Sequence, residues 1–166
     1  EDEHVQVENF SGKMGRSDFK INLAYYTGDD PTIKKRDNFF TLNSNALDLD
    51  ALMNYNASPA EPVNHEEAFN LFDIPFTDMR FSADIGKMNY HTFWLEDFKG
   101  KGRITENHYL YLDTLSLRAA DGSLGVSGYF NGSDPKNIYF SSTMKADKLD
   151  IDKLLIKFEN FGQDYL

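Results

Sequence analysis

Thr41-Leu42-Asn43-Ser44-Asn45-Ala46-Leu47-Asp48-Leu49-Asp50-Ala51-Leu52 returns later in the chain as Thr143-Met144-Lys145-Ala146-Asp147-Lys148-Leu149-Asp150-Ile151-Asp152-Lys153-Leu154. The phrase before it recurs as well: Tyr25-Tyr26-Thr27-Gly28-Asp29-Asp30-Pro31 comes back as Tyr129-Phe130-Asn131-Gly132-Ser133-Asp134-Pro135, with a slightly longer loop between the two phrases in the first copy. Self-similarity at a fixed period points to stacked structural units, and so to an extended scaffold or binding surface rather than to a single catalytic centre. In each copy the hydrophobic period changes at the Leu-Asp-Leu/Ile-Asp phrase. Ile151, Leu154, Leu155 and Phe158 stand at i, i+3, i+4 and i+7, the stripe of an amphipathic helix, with Asp150 or Asp152 placed to cap its N-terminus. Leu49, Leu52 and Met53 repeat the first three of those positions, but Asn56 takes the fourth and Ser58-Pro59 stops the first helix early.

Working outward, strand signals dominate from Phe76 onward. Met79, Phe81, Ala83 and Ile85 alternate with Arg80, Ser82 and Asp84, the period of a sheet with one apolar and one wet face, and Gly86-Lys87 is read as the end of that strand. Tyr90 to Phe98 is aromatic and β-branched, Gly100 and Gly102 punctuate, and Tyr109 to Arg118 carries large side chains on both faces. Asp121-Gly122 is a hairpin signal. Leu124, Val126, Gly128 and Phe130 alternate again, and Ile138, Phe140, Ser142, Met144 and Ala146 supply one more strand. The short turns predict antiparallel sheet over most of 76–147, because parallel crossovers need longer connections. The expected fold is therefore mainly β: a curved antiparallel meander built from two repeats, each closed by a short amphipathic helix. The first repeat covers 1–57 and is truncated, Ser58-Pro59-Ala60-Glu61-Pro62-Val63-Asn64-His65-Glu66-Glu67 is the linker (58–67), and the second repeat covers 68–166. Since the first copy has far less chain ahead of its Asp-Pro than the second, the sequence is expected to enter its first repeat partway.

The 166 residues, 40% hydrophobic and 14% aromatic, suffice for a real core. The apolar runs are far shorter than the roughly 20 residues that span a bilayer as a helix. A net charge of −10 and no basic run longer than Lys34-Lys35-Arg36 argue against nucleic acid and against electrostatic docking on an anionic membrane, while leaving apolar contact with lipid tails open. The absence of cysteine excludes disulfides and thiol chemistry.

The Asp48/Asp50 and Asp150/Asp152 pairs could be cation ligands, but a calcium loop needs further spaced oxygen ligands, and helix capping accounts for their position; no metal site is expected there. His4, His65, His91 and His108 lack zinc spacing. Gly12-Lys13-Met14-Gly15 lacks the phosphate-loop pattern and reads as a tight turn, and no Gly-x-Ser-x-Gly elbow or acid/base carboxylate pair occurs. The chain is expected to be non-enzymatic and to need no cofactor. Asn131-Gly132-Ser133 matches a glycosylation acceptor but is accounted for as a turn. The apolar stripe of Met79, Phe81, Ala83, Ile85, Leu124, Val126, Ile138, Phe140 and Met144 is ordinarily the core face of a sheet; two short helices are scant cover for so long a meander, and these nine residues are the candidate apolar groove.

The stretch Leu115-Ser116-Leu117-Arg118-Ala119-Ala120-Asp121-Gly122-Ser123-Leu124-Gly125-Val126-Ser127-Gly128-Tyr129-Phe130-Asn131, followed by Asp134-Pro135, Leu149-Asp150-Ile151-Asp152-Lys153-Leu154 and Asp164-Tyr165-Leu166, resembles the C-terminal region of AsmA-like proteins of Gram-negative bacteria, of the Bacteroidota type. Gly12-Lys13-Met14-Gly15-Arg16-Ser17-Asp18-Phe19 with Leu47-Asp48-Leu49-Asp50 looks like the same family's repeating phrase. The resemblance implies a β-rich periplasmic body, anchored in the inner membrane by a segment outside this sequence, and a part in outer-membrane homeostasis. It further implies kinship with the bridge-like repeating β-groove lipid-transfer proteins, whose apolar troughs pass phospholipid between membranes. Expected partners are phospholipid acyl chains and neighbouring repeats. The other readings are a structural or assembly scaffold that binds proteins through sheet edges and, third, an enzyme acting on envelope glycans or lipids.

Overall fold

The computed structural model describes residues 4–26, 38–53, 78–90, 93–134, 136–150 and 153. They form one eight-stranded sheet in chain order: β1 (His4–Met14), β2 (Ser17–Tyr26), β3 (Asn38–Asp48), β4 (Met79–Tyr90), β5 (Phe93–Ile104), β6 (Tyr109–Ala119), β7 (Gly122–Asn131) and β8 (Tyr139–Asp147), with the one-turn helix α1 (Leu49–Leu52) after β3. The sheet is mixed. From β4 to β8 every neighbouring pair is antiparallel, as the short turns require. The expectation of a wholly antiparallel meander is corrected at one seam, where β3 and β4 run parallel from Asn38 beside Met79 to Asp48 beside Asn89. A parallel neighbour needs a connection of about a dozen residues or more, and the chain between Met53 and Asp78 is long enough to supply it. Linker 58–67 and the expected helical stripe Ile151, Leu154, Leu155 and Phe158 lie outside the described residues.

The expectation that Gly86-Lys87 ends a strand is also corrected, since β4 continues to Tyr90. Along a line through Asn45, Gly86 and Asp97 the apolar alternation changes parity: Ile85 and Met88 are both buried, as are Leu47 on β3 and Leu95 on β5. Asp97 takes a left-handed φ of 50° there, and a Cβ on Gly86 would lie 2.8 Å from the Asn45 carbonyl oxygen. The glycine thus permits a kink that returns the apolar side chains to one face. Leu47, Ile85, Met88, Leu95 and Ala119 form the core, with Leu42, Leu49, Ala83, Phe93, Phe98 and Leu117 packed against it.

Side chains complete the β2–β3 pair where its register ends at Lys20 and Asn43. The Asp18 carboxylate accepts the backbone N–H groups of Ala46 (2.8 Å) and Asn45 (3.0 Å) and the Asn45 amide (2.7 Å), and these bonds, with Ala46 foremost, hold its pKa below the usual 3.8.

The hairpins follow their turn chemistry. Gly15, with φ of 58°, opens the two-residue loop between paired Met14 and Ser17, the tight turn expected of that glycine-rich stretch. Between paired Ala119 and Gly122, both Ala120 (47°) and Asp121 (62°) are left-handed, as a type I′ turn demands. Alanine is poorly suited to that conformation, so Ala120→Gly is expected to raise stability by about 0.5–1 kcal/mol, read as a higher denaturant midpoint at unchanged m-value.

Candidate functional site

The register assembles the expected apolar stripe into rows that run straight across the sheet. Val7, Leu23, Phe40, Phe81, Gly102, Leu112, Gly128 and Ser142 are successive partners from β1 to β8. The next row is Phe10, Ile21, Leu42, Ala83, Gly100, Leu115, Val126 and Met144. A third joins Met79, Ile104, Leu110, Phe130 and Phe140. Directly paired residues point to the same side of a sheet, so these rows make one face.

Of the nine stripe residues, Met79, Phe81, Ala83, Leu124 and Val126 are half-buried on this face, and Ile85, 2% exposed, belongs to the core. Phe140 (79%) and Met144 (66%) are largely exposed on β8, and Ile138 is exposed just ahead of it. Sequence reading missed the contribution of β2, β3 and β6. Phe19, Ile21 and Leu23 already alternate in β2 and could have been found. The Leu112 to Leu115 step could not, because a bulge between them resets the alternation of β6 and explains why Tyr109 to Arg118 reads as two-faced.

Gly100 and Gly102 lie inside β5 instead of ending it. Gly102 makes room for its neighbours: a Cβ there would overlap the Phe81 ring and the Tyr111 carbonyl.

No family model, curated protein or solved structure matches this chain. Its chemistry must therefore be read from its own side chains.

The opposite face is polar and carries an open depression of about 830 Å³ bordered by Ser82, Asp84, Lys99, Lys101, Thr114, Ser127 and Lys145. Lys99 pairs with Asp84 at 3.5 Å across the β4–β5 ladder. Farther along, the Arg103 guanidinium sits 4.3 Å over the Tyr111 ring, which stacks on Tyr109 with centroids 5.8 Å apart and approaches Tyr129 at 6.3 Å. This face is held by cross-strand ion pairs and ring contacts, in a solvent-facing setting where such pairs contribute little individually.

The two aspartate phrases meet their turns in the same manner. Asp48, 1% exposed, caps α1 by accepting the Ala51 N–H at 3.2 Å, accepts the Asn89 amide at 3.0 Å, pairs with Arg16 and donates its own N–H to Ser17 Oγ at 2.9 Å. The Asn89 and Ala51 bonds, with Arg16 beside them, hold its carboxyl below the usual range. Asp150 accepts the Lys153 N–H at 3.0 Å and donates its N–H to the Ala120 carbonyl at 3.0 Å, while Lys153 pairs with Asp121 in that turn. Asp121 therefore raises the Lys153 pKa. In both places the capping aspartate is tied to the turn of the hairpin before it. Among the described residues no three His, Asp or Glu side chains converge as a metal cluster.

Proposed function

We propose that this chain is a segment of a periplasmic AsmA-like envelope protein whose apolar sheet face carries phospholipid acyl chains between the inner and outer membranes. The observation that carries the reading is the pair of rows that cross all eight strands with apolar residues or glycine at every position but Ser142, with Phe10 and Met144 exposed at the two ends of one row. A surface of this kind selects lipid tails without a catalytic group, since each CH₂ taken out of water contributes about 0.8 kcal/mol whatever the headgroup.

The repeat reading belongs to the same proposal. Three successively antiparallel strands lead into each capping aspartate, β1–β3 before Asp48 and β6–β8 before Asp150, and both caps bind back to the preceding turn. The chain then holds the last three strands of one unit followed by the five strands of the next, joined at the parallel β3–β4 seam. Neighbouring units in the intact protein would extend the rows, and the inner-membrane anchor would lie in a segment outside this sequence.

Photo-crosslinking residues placed at Phe81, Val126 and Phe140 of the intact protein in cells are expected to capture phospholipid, and those at Ser82, Asp84 and Lys145 on the polar face are not. Equal labelling of both faces, or capture of protein alone, overturns the lipid reading. The second reading, a scaffold that binds protein partners through its edges, is favoured by one feature: every residue of β8 is exposed.

A further inference from the structure

We infer that the polar face binds an acidic oligosaccharide along a row of aromatic and arginine side chains that crosses the interior strands. Phe39, Arg80, Arg103, Tyr111 and Tyr129 are successive cross-strand partners on β3, β4, β5, β6 and β7. They share the side opposite the apolar rows, so what this row binds is independent of what those rows carry. At roughly 4.8 Å between strands the row is about 19 Å long. Each strand that contributes to it has a neighbour on both sides.

The two ends of the row are open rings. Phe39 is 38% exposed and Tyr129 44%, and neither belongs to the core. Between them the Arg103 guanidinium rests 4.3 Å over Tyr111, which is flanked in turn by Tyr109 and Tyr129, so the rings fix an arginine that is itself exposed. Among the described residues neither Arg103 nor Lys101, two positions before it on the same face, has an ion-pair partner. The next row supplies hydroxyls: Ser82 and Thr114 stand on either side of Lys101, with Ser127 beyond, around the open depression of about 830 Å³. The carboxylates bordering it are Asp84, held by Lys99, and Asp113 at the β6 bulge.

This set matches a sugar acid. A pyranose ring has apolar C–H faces that lie against an exposed aromatic ring and hydroxyls that pair with Ser, Thr and Tyr. A uronic acid adds a carboxylate, which a guanidinium binds through two N–H groups. A peptide fits less well, because the backbone groups of interior strands are already paired and peptides add to sheets at their edges. A nucleic acid strand would bring a phosphate at every residue to a chain of net charge −10.

Isothermal titration of the chain at low salt with a hexagalacturonate and with a hyaluronan hexasaccharide is expected to give a Kd of about 10–100 µM for at least one of them, with neutral cellohexaose binding roughly tenfold more weakly. Arg103→Gln is expected to remove that preference, so that acidic and neutral hexamers bind alike, and Tyr129→Ala to weaken both roughly tenfold. Both side chains are exposed, so circular dichroism should show each variant folded. Lys87→Gln, which breaks a surface ion pair with Glu96 away from the row, should bind as wild type does. Failure of both acidic hexamers to bind overturns the proposal, as does binding that neither Arg103→Gln nor Tyr129→Ala changes. Equal affinity for galacturonic acid alone would show a simple anion site in place of a strip, and overturns it too. Tighter binding of an oligothymidylate than of either acidic sugar would assign the face to single-stranded nucleic acid and equally overturn it.

Discussion

Gly102→Val is expected to destabilise the sheet by about 3 kcal/mol or more, a loss of roughly 6–12 °C in melting temperature for a chain of this size. Strand propensity alone points the other way, because valine is a favoured strand residue and glycine a poor one. Packing decides the sign. Gly102 is buried between β4 and β6, and a Cβ there would overlap both the Phe81 ring and the Tyr111 carbonyl. The ring could rotate; the carbonyl belongs to the neighbouring ladder and can yield only if β5 and β6 separate. Gly125→Val is the control, since the nearest atoms to a Cβ at that position, the Lys145 and Leu115 carbonyl oxygens, are 3.8 and 3.9 Å away. That variant is expected to fall within about 1 kcal/mol of wild type, with propensity acting in its favour. Paired thermal and urea melts check both. Equal effects at the two glycines would show that backbone entropy, not the Phe81 and Tyr111 contact, governs them.

Asp48→Ala is expected to lower the melting temperature by roughly 5–10 °C, more than an exposed helix cap accounts for. The carboxylate is buried and joins α1, the Asn89 amide of β4 and Arg16 of the first hairpin turn, so its removal strands several polar groups together. Asp48→Asn separates charge from shape, retaining an acceptor for the cap but losing the attraction to Arg16. The acid dependence has a definite sign. The folded-state pKa values of Asp48 and Asp18 lie below the ordinary 3.8, so their stabilisation is fully present above that value and is lost as pH falls through the lower folded values. An acid titration followed by circular dichroism should therefore be shallower in Asp48→Asn and in Asp18→Asn than in wild type. Superimposable acid curves would exclude these two carboxylates as the source of acid sensitivity.

The sheet was legible wherever its information is local. Alternation from Met79 to Ile85 and from Leu124 to Phe130 marks strands whose apolar side chains share a face, and the first of the repeated aspartate phrases marks the point where strand gives way to a helical turn. The Asp121-Gly122 signal marks a hairpin, although the left-handed pair proves to be Ala120 and Asp121. The apolar face was half legible. Its residues on β4, β7 and β8 follow from simple alternation, whereas those on β6 are obscured by a bulge and those past Gly86 by the kink.

The β class, the apolar and polar sides of the regular strands, the hairpin turns and a capping role for one aspartate of each Asp-x-Asp pair follow from the sequence, because each depends on side-chain period or on bonds reaching only a few residues; which aspartate caps, Asp48 and Asp150, comes from the hydrogen bonds. That β3 and β4 run parallel, that β4 passes through Gly86, and that the rows before and after the seam join into one face are set by long-range pairing alone. A strand's neighbour is selected by long-range register and by where a crossover returns the chain, and neither leaves a trace in local alternation. The same limit applies to Gly102, whose necessity comes from a phenylalanine on β4 and a carbonyl on β6, the strands on either side of it.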